Sequence, residues 1–424
     1  MRDMTARPAR RLGGFGTSIF TEMTALAVQH GAANLGQGFP DFPAPDFIKE
    51  AAARHIRDDH NQYVASAGSP RLRAALGAQW QRRHGQAVDP ATEVTVAGGA
   101  TELLFDAVLG LVDPGDEVIV FEPTYDAYVP DIQMAGGVAR VVTLRLPRWE
   151  WDPDELAAAF TPRTRALILN SPHNPTGKVF TAAELEALAR LCIAHDVVVI
   201  SDEVYSEILF DGARHVPIAT LPGMRERTIT IDSMGKTFSV TGWKVGWAIA
   251  PPPLTNAVRA THQFVTFTNS APFQEALADA LAVADVDAPT GAPADSTATT
   301  LVRGAARGYF DELRADYAGR RALLTRILEE TGLPPLPISG AYFLLSDVSR
   351  FGFATDLDFC RHLCTEIGVA AIPISPFYYH PPSPSQPQAP ASARAPMLAR
   401  FCFAKRAETI EAAGRRLQKL RPAS

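Results

Sequence analysis

The chain has 424 residues, 46% hydrophobic and 20% charged, with a formal net charge of −6 and a pI near 6.0. That length supports one large domain plus a smaller one, and the composition is that of a globular enzyme. The acidic balance argues against a nucleic-acid or anionic-membrane partner, and no run of about 18 apolar residues is present to span a bilayer. The first stretch, MRDMTARPARRLGGFG, carries basic residues but no apolar core of a secretory signal. Four cysteines (Cys192, Cys360, Cys364 and Cys402) point to a reducing, cytoplasmic compartment. Cys360 and Cys364 flank His362, but their spacing in DLDFCRHLCTEIG puts both on the apolar face of one helix, so no metal site is expected.

Residues 15 to 45 run from FTEMTALAVQHG, spaced as a helix, into the Gly- and Pro-rich loop NLGQGFPDFPAP, which holds Gly38 and Phe39. DHNQYVASAGSPRLRAAL follows with Tyr63. From about residue 92 strands and helices alternate, which predicts a mainly parallel sheet covered on both faces. TEVTVAGGATELLFDAVLGLV reads as a strand, a tight turn through Gly99, Ala100 and Thr101, and a helix. A helix start after such a turn presents unpaired N–H groups and partial positive charge, which suits a phosphate. DPGDEVIVFEPTYDAY supplies the next strand and ends in Tyr125 and Tyr128, a pair whose plain reading is packing.

RTRALILNSPHNPTGKVFTAAELEAL predicts a strand, a turn through Asn174, and a helix opened by a capping box of Thr181 with Glu184. VVVISDEVYSEILF is a strongly apolar strand closing on Asp202, a carboxylate costly to bury without a cation. Tyr205 stands three residues on. The stretch from Asp232 to Trp247, DSMGKTFSVTGWKVGW, places Ser233, Lys236 and Lys244 in a segment apolar enough to be partly buried. Burial strips a lysine of its proton and makes it a nucleophile toward carbonyls, while two lysines flanking hydroxyls suit an anion with several oxygens.

HQFVTFTNSAPFQEALADAL then brings Phe267, and 284–300 reads as a flexible Ala/Pro-rich insertion. A long helix over 303–331 leads to strands in ISGAYFLLSDV and VAAIPISPFYY, with Phe343 and Phe377 as pocket candidates. A second Pro-rich loop, 380–396, precedes LARFCFAK, which sets Arg400 in an apolar strand. A rigid guanidinium fork there fits a carboxylate bidentately.

The run S-x-x-K-x-F-x-x-T-G-W-K-x-G-W, with LGQGFPDF, NQY, NPTG and R-F-x-F in order around it, resembles the class I/II pyridoxal-phosphate-dependent aminotransferases of fold type I, in their kynurenine/glutamine/methionine transaminase branch. It covers roughly residues 15 to 418. The resemblance implies an α/β fold: a large domain with a mainly parallel seven-stranded sheet flanked by helices, plus a smaller α+β domain. It divides the chain into an N-terminal arm (1–45), a cofactor-binding domain (46–302) and a small domain (303–424).

It also implies that Lys236 forms a Schiff base with pyridoxal 5'-phosphate, that Asp202 pairs with the ring nitrogen, and that Tyr205 and Asn174 reach the 3-hydroxyl. Tyr125 would lie on the ring. Gly99, Ala100, Thr101, Ser233 and Lys244 would hold the phosphate with the partner subunit's Tyr63, in a homodimer with shared active sites. On the substrate side it assigns Gly38, Phe39, Asn174, Phe267, Phe343 and Arg400, the last to the α-carboxylate. The implied activity transfers the α-amino group of an apolar, aromatic or sulfur-containing L-amino acid (methionine, glutamine or kynurenine type) to a 2-oxo acid. The alternatives are an N-succinyl-diaminopimelate aminotransferase or a cysteine-S-conjugate β-lyase on the same scaffold. Thr17 and Ser18 stand where the kynurenine type is expected to carry a pocket tryptophan.

Overall fold

The computed structural model describes residues 9–12, 15–284, 308–379 and 395–421, so the two Pro/Ala-rich segments fall almost wholly outside the described residues. Among them no helix is long and apolar enough to cross a membrane. The chain opens with α1 (Ile19–Gln29), whose N-cap Ser18 accepts the N–H of Thr21. Then come β1 (Ala33–Asn34), the Gly/Pro loop, α2 (Asp46–Arg57) and α3 (Pro70–His84).

Seven strands form the large sheet: β2 (Val94–Ala97), β3 (Glu117–Glu122), β4 (Val138–Thr143), β5 (Thr164–Asn170), β6 (Val198–Asp202), β7 (Thr228–Ser233) and β8 (Gly246–Ile249). Their order is β2-β8-β7-β6-β5-β3-β4. β8 runs antiparallel to β2 and β7, and every other pair is parallel. The parallel strands are near-continuous apolar runs because helices cover both faces, leaving no solvated side to alternate toward. Between the strands lie α4 (Ala100–Leu111), α5 (Tyr128–Met134), α6 (Pro153–Ala159), α7 (Ala182–Ala194) and α8 (Met234–Thr237). The expected capping box at Thr181 and Glu184 is formed in both directions at the start of α7. After β8 come α9 (Pro252–Val265), packed along α4, and α10 (Ala271–Ala284), packed on α2 and α3.

The described part of the expected long helix is α11 (Tyr309–Glu330). The smaller sheet is antiparallel, ordered β11-β12-β9, from β9 (Phe343–Asp347), β11 (Ile372–Pro373) and β12 (Leu398–Cys402). β10 (Val369–Ala370) pairs with β1, which ties the N-terminal arm to this smaller unit. α12 (Asp356–His362) and α13 (Ala407–Leu417) cover it. Cys360 and Cys364 are both buried free thiols, as the apolar-face reading expected.

One consequence positions the site. The in-register parallel pairing Asn170 to Asp202 and Asp202 to Ile231 brings the carboxyl ends of β5, β6 and β7 to one edge of the sheet. In open α/β sheets that edge is where ligands bind. The N-terminal end of α4 and the loop after β1 converge on the same edge, beside β12.

Candidate active site

β6 delivers Asp202 into the interior, where burial pushes its carboxyl up to about 6. Two hydrogen bonds oppose that rise: Tyr128 donates to Oδ2 at 2.6 Å, and the N–H of Val204 to Oδ1 at 3.3 Å. Among the described residues no cation pairs with it. At the end of β5, Asn170 donates from Nδ2 to the carbonyl of Asp202 at 2.9 Å and accepts the N–H of Asn174 at 2.7 Å. That braces the NPTG turn against the strand ends.

The oxygen of the Asn174 amide accepts from Nη1 of Arg400 at 2.7 Å, while Nη2 of Arg400 donates to the carbonyl of Gly36 at 3.1 Å. Arg400 is almost fully buried in β12, and its Nε finds no acceptor. Its guanidinium lies 4.0 Å from the ring centroid of Phe343, 5.1 Å from Phe20 and 5.4 Å from Phe377. The cation is thus held by aromatic faces rather than by a carboxylate, and part of its hydrogen-bonding fork remains free.

Lys236 follows β7 on the short helix α8. Its Nζ donates to the carbonyl of Gly38 at 3.2 Å, and the hydroxyl of Tyr342 donates to the same oxygen at 2.6 Å. Desolvation pulls the lysine ammonium down to about 8; Arg400 and Lys244 act in the same direction and Asp202 against it. Tyr205 is buried with its ring edge-on to Tyr342, and burial raises its hydroxyl well above the ordinary range.

At the other end, β8 lies directly on the turn that starts α4. A Cβ on Gly246 would come within 2.6 Å of the backbone of Gly99, so only glycine permits this approach. Gly99 itself has φ +91°, and a Cβ there would sit 3.3 Å from Nζ of Lys244. The side chain of Asn269 donates to the carbonyls of Ala97 (2.7 Å) and Lys244 (3.0 Å), locking the two pieces together. Among the described residues Lys244 makes no ion pair, and its Nζ lies beside Gly99 at the start of α4.

These parts enclose a cavity of about 360 Å³. Gly38, Gly99, Ala100, Thr101, Tyr125, Asn174, Asp202, Tyr205, Ser233, Lys236, Lys244, Phe343 and Arg400 all line it. Four predicted residues lie outside it in the isolated chain, among them the buried Phe377, which packs behind Arg400. Phe39 is 45% exposed with its ring on the ammonium of Lys405, and Tyr63 (84% exposed) meets Phe267 (45% exposed) edge to face. Several lining residues escaped the sequence reading, Phe20, Gln37, Tyr128 and Asn170 among them. Ser18 caps α1, and Phe20 in the first turn of that helix lines the cavity.

Residues 31–417 match the model of the family Aminotransferase class I and II. The chain belongs to this family. It is 40% identical over 413 residues to the methionine aminotransferase of Escherichia coli K12, covering 97% of this chain and 98% of that one. It is 39% identical over 427 residues to kynurenine–oxoglutarate transaminase 3 of Mus musculus, covering 96% and 88%. The solved N-succinyldiaminopimelate aminotransferase of Mycobacterium tuberculosis superposes with a TM-score of 0.86 at 43% identity, covering 98% of this chain and all of that one. The protein is therefore a pyridoxal-phosphate-dependent aminotransferase of fold type I.

Proposed function

We propose that this aminotransferase takes its amino group from an apolar, aromatic or sulfur-containing L-amino acid and passes it to a 2-oxo acid, acting as a cytoplasmic homodimer. One observation carries the donor class: Arg400, boxed by Phe20, Phe343 and Phe377, is the single arginine among the described residues that line the cavity. A second carboxylate on the donor would find rings where it needs a cation. The methionine and kynurenine relatives support the same reading by their names.

The residues fit the cofactor. Buried Asp202 lacks the cation that its burial calls for, and a protonated pyridine nitrogen is one. Lys244 and the α4 start lack an anion, and a phosphate is one. When bound, pyridoxal phosphate supplies a carbonyl that condenses with amines and a ring that accepts the electrons of the substrate's Cα–H bond.

In this reading Lys236, with its lowered ammonium, would be the covalent anchor and afterwards the base that takes the proton from the substrate's α-carbon and delivers it to the cofactor's C4′ carbon. Asp202 keeps the ring nitrogen protonated, and Tyr128 keeps Asp202 ionised. Tyr205 and the free N–H of the Asn174 amide address the ring hydroxyl, and Tyr125 packs on the ring face. Ser233, Lys244 and Gly99–Thr101 grip the phosphate. Arg400 orients the α-carboxylate, and Gly38 lends its carbonyl to Lys236 until substrate arrives. The exposed Tyr63–Phe267 pair is the surface through which a partner subunit completes each site. The arm (1–45), large domain (46–302) and small domain (303–424) are the units that would enclose the substrate.

A second reading has support of its own, since the Mycobacterium tuberculosis relative is named for N-succinyldiaminopimelate. The test is a donor panel (methionine, phenylalanine, kynurenine, glutamine, N-succinyl-L,L-diaminopimelate) against 2-oxoglutarate, pyruvate and 4-methylthio-2-oxobutyrate. The first reading expects methionine or an aromatic donor to lead in kcat/KM. A lead of ten-fold or more for the succinylated donor replaces it with the second.

A further inference from the structure

Behind the turn that starts α4, three side chains with no part in the mechanism above converge. Glu102 and Asp106 are four apart on α4 and share a face, and His262 enters from α9. One ligating atom from each lies within 4.8 Å of the others. Oε1 of Glu102 is 2.7 Å from Nδ1 of His262, and Oδ2 of Asp106 is 3.7 Å from the same nitrogen. Oε2 of Glu102 accepts the N–H of Gly98 at 2.6 Å, and the Thr266 hydroxyl donates to Oε1. Nε2 of His262 sits 2.9 Å from the carbonyl of Ser66.

Asp106 is the anomaly. It is fully buried, aimed at His262, and neither of its oxygens has a hydrogen-bond partner. A buried carboxyl that has lost its water and gained no donor is strongly disfavoured. Burial, with the adjacent Glu102 carboxylate, pushes Asp106 up to about 7, the mark of a carboxyl without a compensating cation.

We propose that Glu102, Asp106 and His262 form a binding site for one small divalent transition-metal ion. The ligands are Oε1 of Glu102, an oxygen of Asp106 and Nδ1 of His262. One imidazole with two carboxylates suits zinc or manganese. The bond from Nε2–H of His262 to the Ser66 carbonyl is the outer hydrogen bond that orients a metal-bound imidazole. The exposed Thr266, whose hydroxyl lies 3.4 Å from Nδ1, marks the side open to entry. A bound ion clamps α4 to α9 and fixes Glu102, and through it Gly98 at the phosphate turn.

The test uses the chelator-stripped, dialysed holoenzyme beside Asp106→Asn, which keeps the side chain's size. Each is titrated calorimetrically with Zn2+ alone and with Mn2+ alone, and the parent is expected to take up one ion per subunit. Binding should weaken about 100-fold or more in Asp106→Asn. His262→Gln is the second variant should the first fail to fold, and it should lose binding equally. Absence of binding up to millimolar metal, or equal binding by parent and variant, overturns the proposal.

Discussion

Tyr128 donates its phenolic hydrogen to Oδ2 of Asp202 across 2.6 Å, from the first residue of α5 to the last of β6. With the Val204 N–H it opposes the burial that raises this carboxyl. Tyr128→Phe removes a hydrogen bond to a charged group, worth about 1.5–3 kcal/mol, or roughly 10- to 100-fold in turnover. The same change raises Asp202 further, so the acidic limb of the pH profile of kcat/KM should move upward. Steady-state rates from pH 5 to 9 check both. A limb that stays in place means that Asp202 does not depend on Tyr128.

The raised carboxyl also has a signature in stability. An acid lifted from 3.8 to about 6 on folding contributes stability that is complete below pH 4 and lost as pH climbs through 6. A shift of that size corresponds to about 3 kcal/mol. Cofactor-free protein should therefore lose about that much against Asp202→Asn between pH 4 and 6.5, measured by urea unfolding at each pH. With pyridoxal phosphate bound the ordering should reverse, because the ring nitrogen then supplies the missing cation. Parallel pH curves for the two proteins without cofactor speak against a buried, uncompensated carboxyl.

Arg400 holds Asn174 and the Gly36 carbonyl, and in the proposed function it binds the donor's α-carboxylate. Arg400→Lys keeps the charge but removes the planar fork and its fit among three rings. The expectation is a fall of about 100-fold in kcat/KM for methionine, carried mainly by KM, with the cofactor's absorbance unchanged. A variant altered in absorbance but not in KM would put Arg400 at the cofactor rather than the substrate.

Much of this site can be read along the chain because its residues sit in short, ordered motifs. Asp202 announces itself as a charge ending a five-residue buried strand, and Lys236 as a lysine in an apolar Gly/Thr-rich run. The parallel sheet is legible in the alternation of strands and helices. What stays hidden depends on which distant pieces meet. Tyr128 looks like packing until α5 is seen to start against the end of β6. Phe20 is one apolar residue of an amphipathic helix until β12 brings Arg400 beneath it. Glu102 and His262 belong to two unremarkable helices, and nothing in either shows that α9 lies along α4. Periodicity tells which face a residue occupies, whereas the partner across that face comes only from tertiary packing.

Tyr63 is 84% exposed in the single chain, well outside the cavity, yet its ring is fixed edge-on against Phe267. An exposed, ordered aromatic pair of this kind suits a surface covered by a second subunit. If the partner subunit's Tyr63 completes each phosphate site, mixing two defective proteins has a decisive outcome. Lys236→Ala is expected to be inactive, and Tyr63→Ala to bind cofactor about ten-fold more weakly. In a mixed dimer of the two, the only intact lysine belongs to the subunit lacking its tyrosine, and its site draws Tyr63 from the other. That site is then wild type in every residue. Mixed dimers, isolated by dual affinity tags, should show about half the wild-type turnover per dimer at low cofactor concentration. Had each subunit used its own Tyr63, the same dimers would carry one site with the Tyr63→Ala defect and never exceed half the activity of that variant.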